Sequence, residues 1–273
     1  MIGSIIGDIV GSIYEFDNIH TKDFELFTPA MSYTDDSILT FATAEWLLRG
    51  GSVARLYARY VAEYPAPMGN YGPMFEAWAS EAAKGEILAP YNSCGNGAAM
   101  RVGPVGWAAG SLERTLELAE ESACCTHNHP EGIKGAKAVA HSVFLARHGA
   151  EAREIERVIG REYGYELSVP VSDLQRRYSW DGMDGSGNGG TCQDSVPQAI
   201  SCALQAADFE DAVRNAISIG GDSDTIGCIA GSIAEPLFGV PLDIYRKAKT
   251  YLTPELIKIL DKFEGKFGSM VPA

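Results

Sequence analysis

Apolar residues in this chain recur at helical rather than alternating spacing. Leu39, Ala42, Thr43, Trp46 and Leu47 follow the i, i+3, i+4, i+7, i+8 template, and Ile226, Ile229, Ala230, Ile233 and Ala234 repeat that register. Such a stripe marks a helix packed on a core. Thr34 is placed to cap the first of these helices and Gly50-Gly51 to end it. Pro236 and Gly239 are expected to end the second. Further helices are expected over 53–63, 74–83, 111–123, 131–148, 153–163 and 254–265. Pro197 is expected to start one that runs to Ala206, and Asp208 to cap another with Asp211 three residues on. Segment 164–172 reads as a short strand, while 69–73, 90–106 and 181–190 read as loops rich in glycine. Nothing sustains alternation. The pattern predicts an all-α, compact single-domain orthogonal helical bundle of about ten helices over residues 1–273, without linker or repeat.

Residues 3–15 form a further expected helix, carrying Gly3, Gly7 and Gly11 at four-residue spacing. Each glycine costs about 1 kcal/mol against alanine in a helix. Three in one stripe therefore predict a central helix that another backbone approaches closely. Asp8 lies on this segment, and Glu15, seven residues on, is expected on nearly the same face.

A formal net charge of −14 and a pI near 4.8 argue against nonspecific binding to nucleic acid or an anionic membrane. The six cysteines include no CxxC pair, so buried free thiols and a reducing cytoplasm are expected. The N-terminal segment has neither a basic n-region nor a cleavage site, and no apolar run reaches the ~18 residues of a membrane span.

Candidate chemistry gathers in two acidic motifs far apart in sequence: Thr34-Asp35-Asp36, and Asp222-Ser223-Asp224-Thr225 after Gly220-Gly221. Each opens an apolar helical run. Either motif alone is explained by helix capping and the helix dipole. Facing each other, they would form an all-oxygen cage for hard divalent cations, with Glu15 as a fifth carboxylate. In Asn92-Ser93-Cys94-Gly95-Asn96-Gly97-Ala98-Ala99-Met100-Arg101, two glycines around Asn96 make a tight turn whose N–H groups suit phosphate, or an ordinary loop. In Cys124-Cys125-Thr126-His127-Asn128-His129-Pro130, the histidines suit the wall of a nucleotide site, a helix start or, less well, zinc. The loop Asp181–Gly190 lacks the terminal bidentate glutamate of a calcium loop and reads as flexible surface.

Taken in order, Gly7-Asp8 with Glu15-Phe16, Thr34-Asp35-Asp36-Ser37, Gly95 to Arg101, Thr126-His127 and Gly220-Gly221-Asp222-Ser223-Asp224-Thr225 resemble the signature of the ADP-ribosylglycohydrolase family, over roughly residues 1–240. The resemblance implies an all-α fold with a binuclear Mg²⁺ or Mn²⁺ centre in a cleft. It implies metal ligation by Thr34, Asp35, Asp36, Asp222, Asp224 and Thr225. Glu15 and Asp35 are the implied catalytic pair, with Glu15 orienting or deprotonating the attacking water. It further implies that Ser93, Gly95, Asn96 and Gly97 wrap the diphosphate and that His127 lines the ADP-ribose cleft. Asp8 is implied to support the metals from behind, and Gly69 to Gly72 to form a loop beside them. Residues that would hold the adenine have no clear counterpart; Tyr91 is the one candidate.

The implied activity is hydrolysis of the bond between C1″ of ADP-ribose and an acceptor, with ADP-ribose as product. A protein side chain such as arginine is the favoured acceptor. Serine, O-acetyl-ADP-ribose and ADP-ribosylated nucleic acid remain open, as do metal identity and oligomeric state. The alternatives are a non-catalytic ADP-ribose reader and a bimetal phosphohydrolase of another nucleotide.

Overall fold

The computed structural model describes residues 1–85 and 89–271. Its elements in chain order are α1 (Ile2–Gly11), α2 (Asp35–Arg49), α3 (Val53–Glu63), α4 (Pro73–Ala83), α5 (Gly97–Met100), α6 (Gly103–Ala108), α7 (Leu112–Cys124) and α8 (Pro130–Arg147). There follow α9 (Ala152–Tyr163), α10 (Val171–Arg177), a ribbon of β1 (Tyr178–Ser179) and β2 (Gly182–Met183), α11 (Cys192–Leu204), α12 (Phe209–Ser218), α13 (Ser223–Phe238), α14 (Leu242–Lys249) and α15 (Pro254–Phe267).

The centre of the bundle is the pair α1 and α13, both buried along nearly their whole length. Their glycine stripes face each other. A Cβ on Gly7 would lie 1.9 Å from the Gly227 carbonyl oxygen, one on Gly3 2.2 Å from that of Gly231, and one on Gly11 2.5 Å from Asp224 Cα. Reciprocally, a Cβ on Gly231 would meet the Gly3 oxygen at 2.1 Å. No side chain fits between the two backbones, so their approach depends on glycine from both sides. The register sets Asp8 of α1 near the N-terminal turn of α13, and with it the geometry of the acidic motifs. The helices α2, α8, α11 and α12 pack around this pair, and α7 and α9 lie outside α8.

Several expected boundaries shift, each for a local reason. The first helix ends at Gly11 rather than running to residue 15. Ser12 Oγ donates back to the Ile9 carbonyl (2.8 Å) and accepts the Ser32 N–H (3.2 Å), drawing in the next segment. Glu15 thus sits past the helix end rather than on its face. Residues 164–170 form no strand, and 171–177 are helical. Pro197 lies inside α11, which starts at Cys192, because Asp194 Oδ2 accepts from Asn188 N–H (2.9 Å) and Thr191 Oγ (3.1 Å) and organises an earlier start. Pro236 is likewise internal to α13, and Gly239, at φ 75°, supplies the stop. The segment 90–106 contains α5 and α6; with α10 and α14 these raise the helix count among the described residues to fifteen against the expected ten or so. No helix of the described residues is long and apolar enough to cross a membrane.

Candidate metal centre and cleft

The N-termini of α2 and α13 converge on the floor of a cleft of about 520 Å³. Asp8 locks one of them. Its carboxylate accepts the Thr34 hydroxyl (2.7 Å), the Thr34 N–H (3.0 Å), the Ser37 N–H (3.0 Å) and the Ser37 hydroxyl. Thr34 Oγ1 in turn accepts the Asp36 N–H at 3.2 Å, as a helix cap does. The other terminus follows a turn in which Gly220 and Gly221 both have positive φ, 76° and 72°, a conformation other residues rarely adopt. Asn18 clamps that turn: its Oδ1 accepts the Gly221 N–H (2.8 Å), and its Nδ2 donates to the carbonyls of Gly221 (2.9 Å) and Glu15 (3.1 Å).

Carboxylate oxygens of Asp8, Asp36 and Asp224 all lie within 4.8 Å of one another, and so do those of Glu15, Asp222 and Asp224. Asp224 belongs to both groups. Asp36 Oδ2 accepts the Thr225 hydroxyl at 3.3 Å, while Asp36 Oδ1 is buried with no partner. Asn96 Nδ2 donates to Asp222 Oδ2 at 2.7 Å, joining the glycine turn to the acidic floor. Burial pushes all of these acids above the usual carboxylate range, and neighbouring carboxylates add to it for all but Asp8 and Asp222. Asp8 rises to about 6 despite its four donors, and Glu15 to about 8 through burial first and then Asp222 and Asp8. Asp36 and Asp224 are raised well above the ordinary value by burial and by the carboxylates facing them, and Asp222 is raised by burial. Like charges this close and this buried stay ionised only beside a cation. The orphaned Asp36 oxygen and the all-oxygen donor set fit one. Acidic clusters able to hold a metal are thus present.

Of the expected ligands, Asp36, Asp222, Asp224 and Thr225 meet at this floor. Asp35 lines the cleft beside them without joining either carboxylate group, and Thr34 is wholly buried beneath. The expected substrate-binding residues Ser93, Gly95, Asn96, Gly97 and His127 line the same cleft, as does Tyr91. In the glycine turn, the Gly95 N–H is used by Ser93 Oγ (3.0 Å) and the Asn96 N–H by the Gly190 carbonyl (3.0 Å). Among the described residues it is the Gly97 and Ala98 N–H groups that have no partner. The loop Gly69 to Gly72 also lines the cleft, and a Cβ on Gly69 would lie 2.7 Å from Glu15 Oε2.

Sequence reading missed Asn18, Trp180 and the role of Phe16. Trp180 Nε1 donates to the Glu15 carbonyl at 2.7 Å, and its ring stacks on Phe16 at 6.1 Å and 3°. Phe16 is 77% exposed at the mouth. The loop 181–190, read as free surface, packs its Gly190 against the Asn96 turn. These contacts join residues some 94 to 203 positions apart, and no short-range pattern announces them.

The chain matches the model of the family described as ADP-ribosylglycohydrolase over residues 1–246. The chain belongs to the ADP-ribosylglycohydrolase family. Among its relatives is the ADP-ribosylhydrolase ARH3 of Bos taurus, 28% identical over 307 residues, covering 88% of this chain and 84% of the relative. The ADP-ribosylarginine hydrolase Tri1 of Pseudomonas putida is 24% identical and covers 88% of this chain and 70% of its own. A solved ADP-ribosylglycohydrolase-related protein complex shares the fold with a TM-score of 0.71 at 22% identity, covering 97% of this chain and 95% of the other.

Proposed function

We propose that this member of the family is a metal-dependent hydrolase that cleaves the bond between C1″ of an ADP-ribosyl group and its acceptor. The observation that carries the reading is the sharing of one cleft by two carboxylate groups meeting at Asp224 and a glycine turn with free N–H groups at Gly97 and Ala98. The family to which the chain belongs, and relatives named for ADP-ribosyl hydrolysis, support it.

Two divalent cations, Mg²⁺ or Mn²⁺, would be held by Thr34, Asp35 and Asp36 from α2 and by Asp222, Asp224 and Thr225 from α13. Bound there, they supply Lewis acidity toward water and toward the hydroxyls of the distal ribose. The chain does the rest. Glu15, which lines the cleft within reach of Asp222 and Asp224, accepts the proton of the attacking water. Asp8 fixes the start of α2 through Thr34 and Ser37, and Asn96 holds the Asp222 carboxylate. The Gly97 and Ala98 N–H groups and His127 hold the diphosphate away from the breaking bond, so that binding there positions C1″. Water oxygen adds to C1″ through an oxocarbenium-like transition state, and the acceptor departs with a proton.

The test is ADP-ribose release from ADP-ribosyl-arginine, ADP-ribosyl-serine peptide, O-acetyl-ADP-ribose and ADP-ribosylated DNA, each with Mg²⁺, Mn²⁺ and EDTA. Metal-dependent release from at least one is expected, and the arginine or another side-chain substrate should be the best. ADP-ribose binding without release from any would refute it in favour of a reader.

A further inference from the structure

Arg101 is fully buried and makes no ion pair among the described residues. Its guanidinium lies 4.1 Å from the Tyr57 ring centroid and 5.5 Å from that of Phe75, and its Nε and Nη1 have no hydrogen-bond partner. Only Nη2 is engaged. It donates to the Ser122 carbonyl (3.1 Å) and to Thr126 Oγ1 (2.8 Å). Thr126 Oγ1 also lies 2.7 Å from His127 Nδ1.

These contacts constrain protons. A guanidinium donates and never accepts, so Thr126 Oγ1 is the acceptor of the Arg101 bond. Among the described residues the Thr126 hydroxyl makes no bond to the carbonyl four residues back, that of Ser122, which accepts instead from Arg101 and from Cys125 Sγ (3.4 Å). Among the described residues the acceptor within hydrogen-bond geometry for the Thr126 hydroxyl proton is His127 Nδ1, at 2.7 Å. Nδ1 must then be unprotonated and the neutral imidazole must carry its proton on Nε2. That nitrogen faces the cleft: a Cβ on Gly97 would lie 3.0 Å from it and one on Gly95 3.6 Å. Burial and the Arg101 charge both hold the His127 ring well below the usual histidine range, which keeps it neutral.

We infer that Arg101 and Thr126 are positioning residues that fix His127 as an Nε2–H donor, aimed at an anionic oxygen of a ligand seated on the Gly95–Gly97 turn. The identity of that anion as a diphosphate rests on the proposed function; the relay does not. An Nε2–H beside the free Gly97 N–H gives the ligand oxygen two neutral donors without adding a charged histidine to the buried Arg101.

The relay is tested on the ligand-free protein by long-range ¹H–¹⁵N correlation of the imidazole nitrogens at neutral pH, with His127 assigned through a His127→Gln variant. The expected wild-type result is the neutral Nε2–H tautomer. Thr126→Ser should keep it, and Thr126→Val should convert it wholly or partly to Nδ1–H. An Nδ1–H tautomer or an imidazolium in the wild type would overturn the inference, and so would an unchanged tautomer in a folded Thr126→Val protein. Calorimetric titration with ADP-ribose then reads the consequence. Thr126→Val should bind about ten-fold more weakly, the loss of about one hydrogen bond, with Thr126→Ser near wild type. A tautomer as expected with no ADP-ribose binding by the wild type would retain the relay and reject the diphosphate reading.

Discussion

Gly7→Ala tests whether the crossing of α1 and α13 builds the metal centre. The added Cβ would lie 1.9 Å from the Gly227 carbonyl oxygen, where carbon and oxygen ordinarily approach to about 3.3 Å, so the helices must part by roughly 1.4 Å. The clash is between two backbones, and no rotamer change relieves it. Overpacking costs about 1–3 kcal/mol in ordinary cores, and loss of packing along the parted helices adds about 2 kcal/mol. Helix propensity returns about 1 kcal/mol. A net loss of about 3 kcal/mol follows, and a melting temperature lower by roughly 6–10 °C for a chain of this size. Asp8 moves with α1 away from Asp36 and Asp224, so Mn²⁺ affinity should fall as well. Differential scanning calorimetry with and without Mn²⁺ measures both. A melting temperature within a degree of wild type, with unaltered Mn²⁺ stabilisation, would refute the idea that the glycine contact sets the site.

The acids of the cleft should make the metal-free protein lose stability as pH rises. Asp8 and Glu15 keep protons in the folded state up to about 6 and about 8, whereas the unfolded chain has released them by about pH 5. The folded state therefore binds more protons in that window, and in EDTA the melting temperature should fall from pH 5 to pH 8. Saturating Mg²⁺ should flatten or reverse that slope, and a metal-free slope of the opposite sign would contradict the burial of these acids. Asn96→Ala removes the donor to Asp222 Oδ2 and should weaken Mn²⁺ binding by about 10–100-fold, read by titration calorimetry. Trp180→Phe removes the bond to the Glu15 carbonyl while keeping the ring on Phe16, and should lower kcat about ten-fold with the melting temperature near wild type. An unchanged kcat would remove Trp180 from the machinery that places Glu15.

The two acidic corners were legible because each is local: a hydroxyl, carboxylates and an apolar stripe within one helix start. The glycine stripe at Gly3, Gly7 and Gly11 announced a close approach, though not its partner, since Gly227 and Gly231 lay inside a stripe already explained as core. The end of α1 was misplaced because Ser12 bonds to both Ile9 and Ser32, and the second of these contacts is tertiary. The start expected at Pro197 and the stop expected at Pro236 failed for a related reason. Pro197 and Pro236 each remove one backbone bond from a helix buried along its length, and packing outweighs that loss. Asn18, Trp180 and the Arg101–Thr126 pair left no trace in periodicity, because their partners are set by the folded chain and not by spacing.

The most direct test counts bound Mn²⁺ by electron paramagnetic resonance titration while ADP-ribose release is followed on the best substrate of the panel. The account predicts two bound ions per chain, activity that rises with their occupancy, and loss of both in Asp224→Ala, the carboxylate that both groups share. Undiminished release in EDTA, or full Mn²⁺ binding and activity in Asp224→Ala, would contradict it.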